Sequence, residues 1–240
     1  MKSVEQRFAE SKAVILDVDC VLVHSFMSVI TQSMQLVQIT RGQHIHPDRI
    51  MKIQSNYVKT DDIIEQLIHP SEDEWPRVRR LHTLLFQQNS YMPPIGDPAQ
   101  FARNVRESTR KVAIWTSRPP EFLTHTSCPS FIFDDDDPYR LFDAVSTHQG
   151  GDTDKPHPDS LRRLAKELEV PETEYDKIVV VEDMPQNVQA AQQLGMLTVG
   201  VLSGLAGVEI SRTRMEKVAP DLIVPTYEDV RPYLGLPTEL

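Results

Sequence analysis

Six short apolar runs punctuate the chain: AVILDVD (13–19), VAIWTS (112–117), DAVST (143–147), KIVVVED (177–183), LTVGVLS (197–203) and DLIVP (221–225). They are apolar and β-branched throughout rather than alternating with polar residues. A strand with one wet face alternates, whereas a strand buried on both faces reads as a continuous apolar run. Helical patterns between the runs supply the cover. HPDSLRRLAKEL places Leu161, Leu164, Ala165 and Leu168 on one face, with Pro158 near its start. Proline is tolerated there because the first helical N–H has no intrahelical partner. PQNVQAAQQLG opens on Pro185 and stops at Gly195, a C′ glycine. The alternation predicts an α/β fold with a Rossmann-like, doubly wound parallel sheet.

One segment breaks the rhythm. Residues 26–92 contain no convincing strand. Phe26, Val29, Ile30, Leu36 and Val37 predict one helix, Ile63, Ile64, Leu67 and Ile68 a second, and Trp75, Val78, Leu81 and Leu85 a third. YMPPIGDP (91–98) then reads as a proline-rich return. The expected organisation is a core of residues 1–24 and 94–240 interrupted by an α-helical cap domain at 25–93. No internal repeat is visible, and the acidic run FDDDDP (133–138) reads as a solvated loop.

Charge and cysteine content restrict the partners. The 240 residues carry a formal net charge of -10 and are 40% hydrophobic. That is enough apolar matter for a core, and the wrong sign for nonspecific attraction to nucleic acid or an anionic membrane. No apolar run approaches the ~20 residues of a membrane helix, and MKSVEQRFAE lacks the apolar stretch of a signal peptide. Cys20 and Cys128 form neither a CxxC pair nor a zinc spacing. The expectation is a cytoplasmic protein with reduced thiols, a monomer or weak dimer, acting without nucleic acid or membrane.

In an open parallel sheet, ligands bind beyond the carboxyl ends of the strands. Asp17 and Asp19 end the first run, Thr116 and Ser117 the second, and Glu182 and Asp183 the fourth, while Lys155 follows the third in GGDTDKPHP. A lone strand-terminal aspartate is an ordinary turn or cap residue, and a lone lysine is ordinarily solvated. Four segments sending polar groups to one sheet edge are a different matter. Four carboxylates in one crevice repel one another, and a hard divalent cation such as Mg²⁺, which takes oxygen ligands, relieves that repulsion. A phosphate ester is then exposed to attack by an ionised aspartate. A second carboxyl group can protonate the leaving oxygen, and a hydroxyl and an ammonium can stabilise charge on the phosphoryl oxygens.

The motifs DVDCVL, IWTSRP, DKPHPDSL and VVVEDMPQNVQAAQQLGM, in this order and with an insertion after the first, resemble the haloacid dehalogenase-like superfamily. The subgroup most resembled has a helical cap, as in the phosphoglycolate phosphatase and β-phosphoglucomutase relatives. The resemblance spans essentially the whole chain. It implies that Asp17 is the nucleophile and a Mg²⁺ ligand, and that Asp19 is the general acid/base and offers its carbonyl to the metal. Thr116 would bind the transferring phosphoryl group, and Lys155 would neutralise Asp17 and the phosphate. Asp183 would be the carboxylate ligand, with Glu182 acting through water. The catalytic set is therefore Asp17, Asp19, Thr116 and Lys155, and the metal set Asp17, Asp19, Glu182 and Asp183. The substrate set is Thr116, Ser117, Arg118 and Lys155, joined from the cap by Lys59, which with Thr60 matches a substrate-contacting cap loop. Arg118 either meets a substrate anion or is a surface arginine before two prolines.

The chain departs from the family wording at several points. Cys20 stands where glycine is frequent, and is acceptable there if its φ is negative. The surrounding carboxylates should raise its thiol pKa and leave it inert. His24 replaces a usual aspartate, either as a solvated hinge residue or as a substrate contact. Met184 and Asn187 replace a common serine and glycine. The first part of the insertion is locally basic, with Arg41, His44, His46, Arg49, Lys52 and Lys59. It reads mostly as a solvated helix face. A cap of this size favours small substrates. The expected activity is Mg²⁺-dependent hydrolysis of a small phosphorylated metabolite, similar to phosphoglycolate or a sugar phosphate, through an aspartyl-phosphate. The alternatives are a phosphosugar mutase of the same family and a non-catalytic descendant that binds a phosphorylated ligand.

Overall fold

The computed structural model describes residues 2–54, 60–89, 92–120, 123, 141–148, 153–204 and 208–238. Lys59, Cys128 and the acidic run 133–138 lie outside the described residues. All six apolar runs form strands: β1 (Ala13–Leu16), β2 (Lys111–Trp115), β3 (Ala144–Ser146), β4 (Ile178–Glu182), β5 (Leu197–Val201) and β6 (Leu222–Val224). They pair in the order β3-β2-β1-β4-β5-β6, and every pairing is parallel. The chain thus winds outward twice from β1, which leaves the topological switch point where β1 lies between β2 and β4.

Period-two geometry explains the continuous apolar runs. Val14, Leu16, Val112, Ile114, Val179 and Val181 enter one buried cluster. Their neighbours Ala13, Ile15, Ala113, Trp115, Ile178 and Val180 enter another on the opposite face. The first face is covered by Phe8 of α1 (Val4–Ala9) and by Phe101 and Val105 of α6 (Pro98–Glu107). The second is covered by α7 (Pro158–Glu167) and α8 (Pro185–Gln193). Helix α9 (Val208–Val218) lies close on β5, since a Cβ on Gly200 would come within 2.8 Å of Met215 Sδ. Pro158 and Pro185 occupy first-turn positions, and Gly195 sits just past α8 with φ +73, as a left-handed C′ residue must. A four-residue helix α10 (Arg231–Leu234) closes the chain against α1.

Between β1 and α6 the described residues form four helices rather than the three expected: α2 (Phe26–Arg41), α3 (Pro47–Gln54), α4 (Thr60–Ile68) and α5 (Trp75–Gln88). The additional helix, α3, is short and buries only Ile50 and Gln54, too little apolar periodicity to register in sequence. Ile30, Leu36, Ile50, Ile64, Val78 and Leu85 belong to a third cluster, separate from both sheet faces. Consecutive residues of α5 part company here. Leu85 joins this third cluster, while Phe86 packs on the sheet cluster that contains Met92. Of the basic residues in the insertion, Arg41 is tied by two hydrogen bonds to Glu74 and by one to the Ile68 carbonyl, while His44, His46, Arg49 and Lys52 are exposed. Among the described residues, no helix is long and apolar enough to cross a membrane.

Candidate active site

The segment after β1 is a tight, dry loop. Val18, Val21, Leu22 and Val23 are fully buried, and the Leu22 and Val23 amides both donate to the Val18 carbonyl. The loop turns at Cys20, whose φ is +59. The condition of a negative φ, under which cysteine would replace glycine without strain, is therefore not met. The chain retains the left-handed turn that glycine accommodates freely, and an L-residue accepts it at a cost of roughly 1–2 kcal/mol. Three contacts hold the turn: Cys20 N–H donates to the Val23 carbonyl, Sγ lies 3.3 Å from Ser25 Oγ, and the Ser203 hydroxyl donates to the Cys20 carbonyl. Burial, reinforced by Asp183, raises the Cys20 thiol well above its usual pKa. His24 is exposed, and its amide donates to the Pro93 carbonyl.

Three carboxylates meet at the switch point. Asp17, Glu182 and Asp183 are all buried, with ligand atoms within 4.8 Å of one another. Lys155 reaches into this group from the loop before α7, 2.9 Å from Asp17 Oδ1 and 2.5 Å from Glu182 Oε1. Its ammonium also donates to the Trp115 carbonyl and lies 4.6 Å from the centre of the Trp115 ring. Desolvation disfavours that charge, but Asp17 and Glu182 outweigh it and raise the Lys155 pKa. One ammonium cannot neutralise three carboxylates. Burial first, and mutual repulsion after it, push Glu182 and Asp183 upward, and Asp17 is raised by burial despite Lys155. Such a donor set suits a hard divalent cation, which would supply the missing positive charge. Gly204 leaves room beside it, because a Cβ there would sit 3.1 Å from Asp183 Oδ2.

Asp19 does not complete a quartet of carboxylates. Its side chain turns to Arg118, which grips both oxygens at 2.6 and 2.7 Å. Desolvation acts to raise the Asp19 pKa, but Arg118, helped by the Ser25 hydroxyl, holds it below the usual carboxylate value. The surface-arginine alternative for Arg118 is overturned, since the residue is 4% exposed. Thr116 is buried one residue past β2, where its amide donates to the Ser146 carbonyl and its hydroxyl accepts from the Arg118 amide. Ser117 is exposed in the same loop.

Two partnerships escape motif reading. Asn187, in the first turn of α8, donates its side-chain N–H to Glu182 Oε2 at 3.0 Å. Glu182 is thereby held by Lys155 on one oxygen and Asn187 on the other. The only trace in sequence is an amide at a position where glycine is common. The Arg118–Asp19 pair joins loops on neighbouring strands, and no local spacing announces it.

A search of curated proteins returns no match. Among solved structures, a protein from Haemophilus somnus described as a predicted phosphoglycolate phosphatase superposes with a TM-score of 0.74 at 17% identity, over 92% of this chain and 96% of its own. CbbY from Rhodobacter sphaeroides, solved in complex with phosphate, gives 0.72 at 16% identity over 94% and 100%. A Thermotoga maritima protein assigned as a β-phosphoglucomutase gives 0.64 at 21% identity over 93% and 97%. At these identities the likeness concerns the fold. Residues 14–201, which carry every strand-end group described above, match the profile of the haloacid dehalogenase-like hydrolases. A match over most of the chain decides the kinship, and the protein belongs to the haloacid dehalogenase-like hydrolase family.

Proposed function

We propose that this protein is a Mg²⁺-dependent phosphatase that hydrolyses a small phosphorylated metabolite, similar to phosphoglycolate or a sugar phosphate, through an aspartyl-phosphate. The observation that carries this reading is the buried trio Asp17, Glu182 and Asp183, with Lys155 paired to two of them at the carboxyl edge of the sheet.

Asp17 and Asp183 carboxylates and the Asp19 carbonyl would hold the Mg²⁺, with Glu182 assisting through water. The ion would screen the carboxylates and draw charge from the phosphoryl oxygens. In the first step an Asp17 oxygen bonds to phosphorus, the ester P–O bond breaks, and the leaving oxygen takes a proton from Asp19, which must enter the step protonated, against the preference for the ionised form that Arg118 imposes in the free protein. In the second, water attacks phosphorus, its proton passes to the Asp19 carboxylate, and the bond to Asp17 breaks, releasing inorganic phosphate. Lys155 and the Thr116 hydroxyl face the transferring group. Ser117 would contact the substrate, as would Lys59, which lies outside the described residues. Helices α2–α5, within residues 25–93, act as the cap over the core of 1–24 and 94–240, which selects small substrates.

The test is a panel of phosphate esters with and without Mg²⁺, with Asp17→Asn as control. Metal-dependent phosphate release that the variant lacks supports the reading. Isomerised sugar phosphate in place of free phosphate would reassign the protein as a mutase, in keeping with its likeness to the assigned β-phosphoglucomutase. A folded, Mg²⁺-binding wild type that releases phosphate from no ester sinks the enzyme reading.

A further inference from the structure

Arg118 is involved in more than an ion pair. One edge of its guanidinium forks onto both oxygens of Asp19 at 2.6 and 2.7 Å. Its Cζ lies over the Phe86 ring, 5.3 Å from the ring centre, and Nη2 is 2.8 Å from Met92 Sδ. Phe86 belongs to α5, in the inserted helices, and Met92 lies on the return to the sheet. Asp19 belongs to the loop after β1, and Arg118 to the loop after β2. One planar group therefore touches both catalytic-edge loops and the last helix of the insertion. The pairing is geometrically selective, because a guanidinium presents two parallel donors to a carboxylate while a second surface packs on an aromatic face.

Resting on the phosphatase reading above, we infer that Arg118 is a positioning residue that couples the orientation of the Asp19 carboxylate to the placement of helix α5. Asp19 is half-buried, and its carboxylate is not among the three that cluster within 4.8 Å of one another. Without a fixed partner its side chain has several rotamers open to it. The fork selects one, and the Phe86 ring fixes the fork. A displacement of α5 relative to β2 moves Phe86 from the guanidinium and so removes one of the contacts that hold the fork on Asp19. The inserted helices thereby govern the acid/base group through Arg118. Arg118 acts through Asp19, and Phe86 acts through Arg118.

The experiment is a set of double-mutant cycles on the full chain. Arg118→Lys keeps the charge and removes the fork, Arg118→Gln removes both, and Phe86→Leu removes the aromatic face while keeping the volume apolar. Each is made alone and in an Asp19→Asn background. On the best ester of the panel, Arg118→Gln should lower kcat at least about tenfold, the scale at which small misplacements of a reacting group act, with KM changed less than threefold. Arg118→Lys should recover part of the loss, and Phe86→Leu should show a smaller loss of the same kind. In the Asp19→Asn background the Arg118 and Phe86 changes should cost nothing further. A loss that persists undiminished in that background overturns the inference, as does a change confined to KM. Denaturant midpoints of the same variants give a readout independent of turnover. Non-additive midpoints for Arg118 with Asp19, and for Arg118 with Phe86, are expected, and additive midpoints overturn the coupling. If the wild type hydrolyses no ester yet the midpoints are non-additive, the coupling stands and the phosphatase reading falls.

Discussion

Lys155 and Glu182 form the tightest buried ion pair of the site, with Nζ 2.5 Å from Oε1 and both side chains almost wholly withdrawn from solvent. The second carboxylate on Lys155, Asp17, shares the same ammonium. Removing a partner from a buried charge cluster leaves uncompensated charge, which costs about 3–5 kcal/mol. Lys155→Met should therefore lower the free energy of unfolding by that amount in denaturant titrations at pH 7, and abolish phosphate release. A variant as stable as wild type would show that water or a neutral carboxyl already relieves the charge.

Metal linkage offers a measurement without turnover. A cation that binds only the folded chain stabilises it by about 2.7 kcal/mol at a concentration 100 times its dissociation constant. Titrating Mg²⁺ should raise the wild-type melting midpoint. In Asp183→Asn the rise should vanish or require far more metal. Equal rises in both proteins would place the cation elsewhere.

Cys20 separates conformation from chemistry. Its φ of +59 predicts that Cys20→Gly changes stability by less than about 1 kcal/mol, since relief of the turn offsets the lost side-chain packing. Cys20→Val should lose more than about 2 kcal/mol, because a β-branched residue tolerates the left-handed region poorly. Itself 1% exposed and with its thiol pKa raised well above the ordinary value by burial, Cys20 should resist alkylation in the native protein. Peptide mapping that shows rapid native labelling at Cys20 would contradict this.

His82, on α5, supplies a pH signature of its own. Burial lowers its pKa from 6.5 to about 4, against a weak opposing pull from Asp61. The folded chain thus prefers the neutral ring. The associated stability is fully present above pH 6.5, falls as the pH drops from 6.5 toward 4, and changes no further below. The whole swing is about 3 kcal/mol. Unfolding free energies across this range should fall more steeply for wild type than for His82→Gln, and parallel curves would remove His82 as the cause.

Legibility in sequence followed the range of the interaction. The parallel sheet was readable because burial on both faces leaves continuous apolar runs, and the helix ends at Pro158, Pro185 and Gly195 because backbone rules are local. Asp17, Glu182 and Asp183 could be placed together because strand ends share an edge. Helix α3 was missed because Ile50 is its single buried apolar residue. The sign of φ at Cys20 depends on how Ser25, Val23 and Ser203 hold the loop, which a single sequence does not display. The pairing of the Asp19 carboxylate with Arg118 was not readable, because Arg118 lies on a neighbouring strand's loop far away in sequence.

The central position of β1 has a consequence for how the chain reaches its native state. Ala13 precedes the residues of every other strand, yet it pairs with Lys111 on one side and Ile178 on the other. Contacts so distant along the chain are slow to form, because closure entropy is lost before pairing returns any free energy. On the ribosome β1 must wait through the whole insertion for its first neighbour and through most of the chain for its second. During that interval an apolar strand with unpaired edges is exposed to the wrong partners. The helices of residues 26–88, whose contacts are near in sequence, can form their own apolar cluster meanwhile. Newly made chains should accordingly be most prone to aggregation after those helices fold and before β4 emerges.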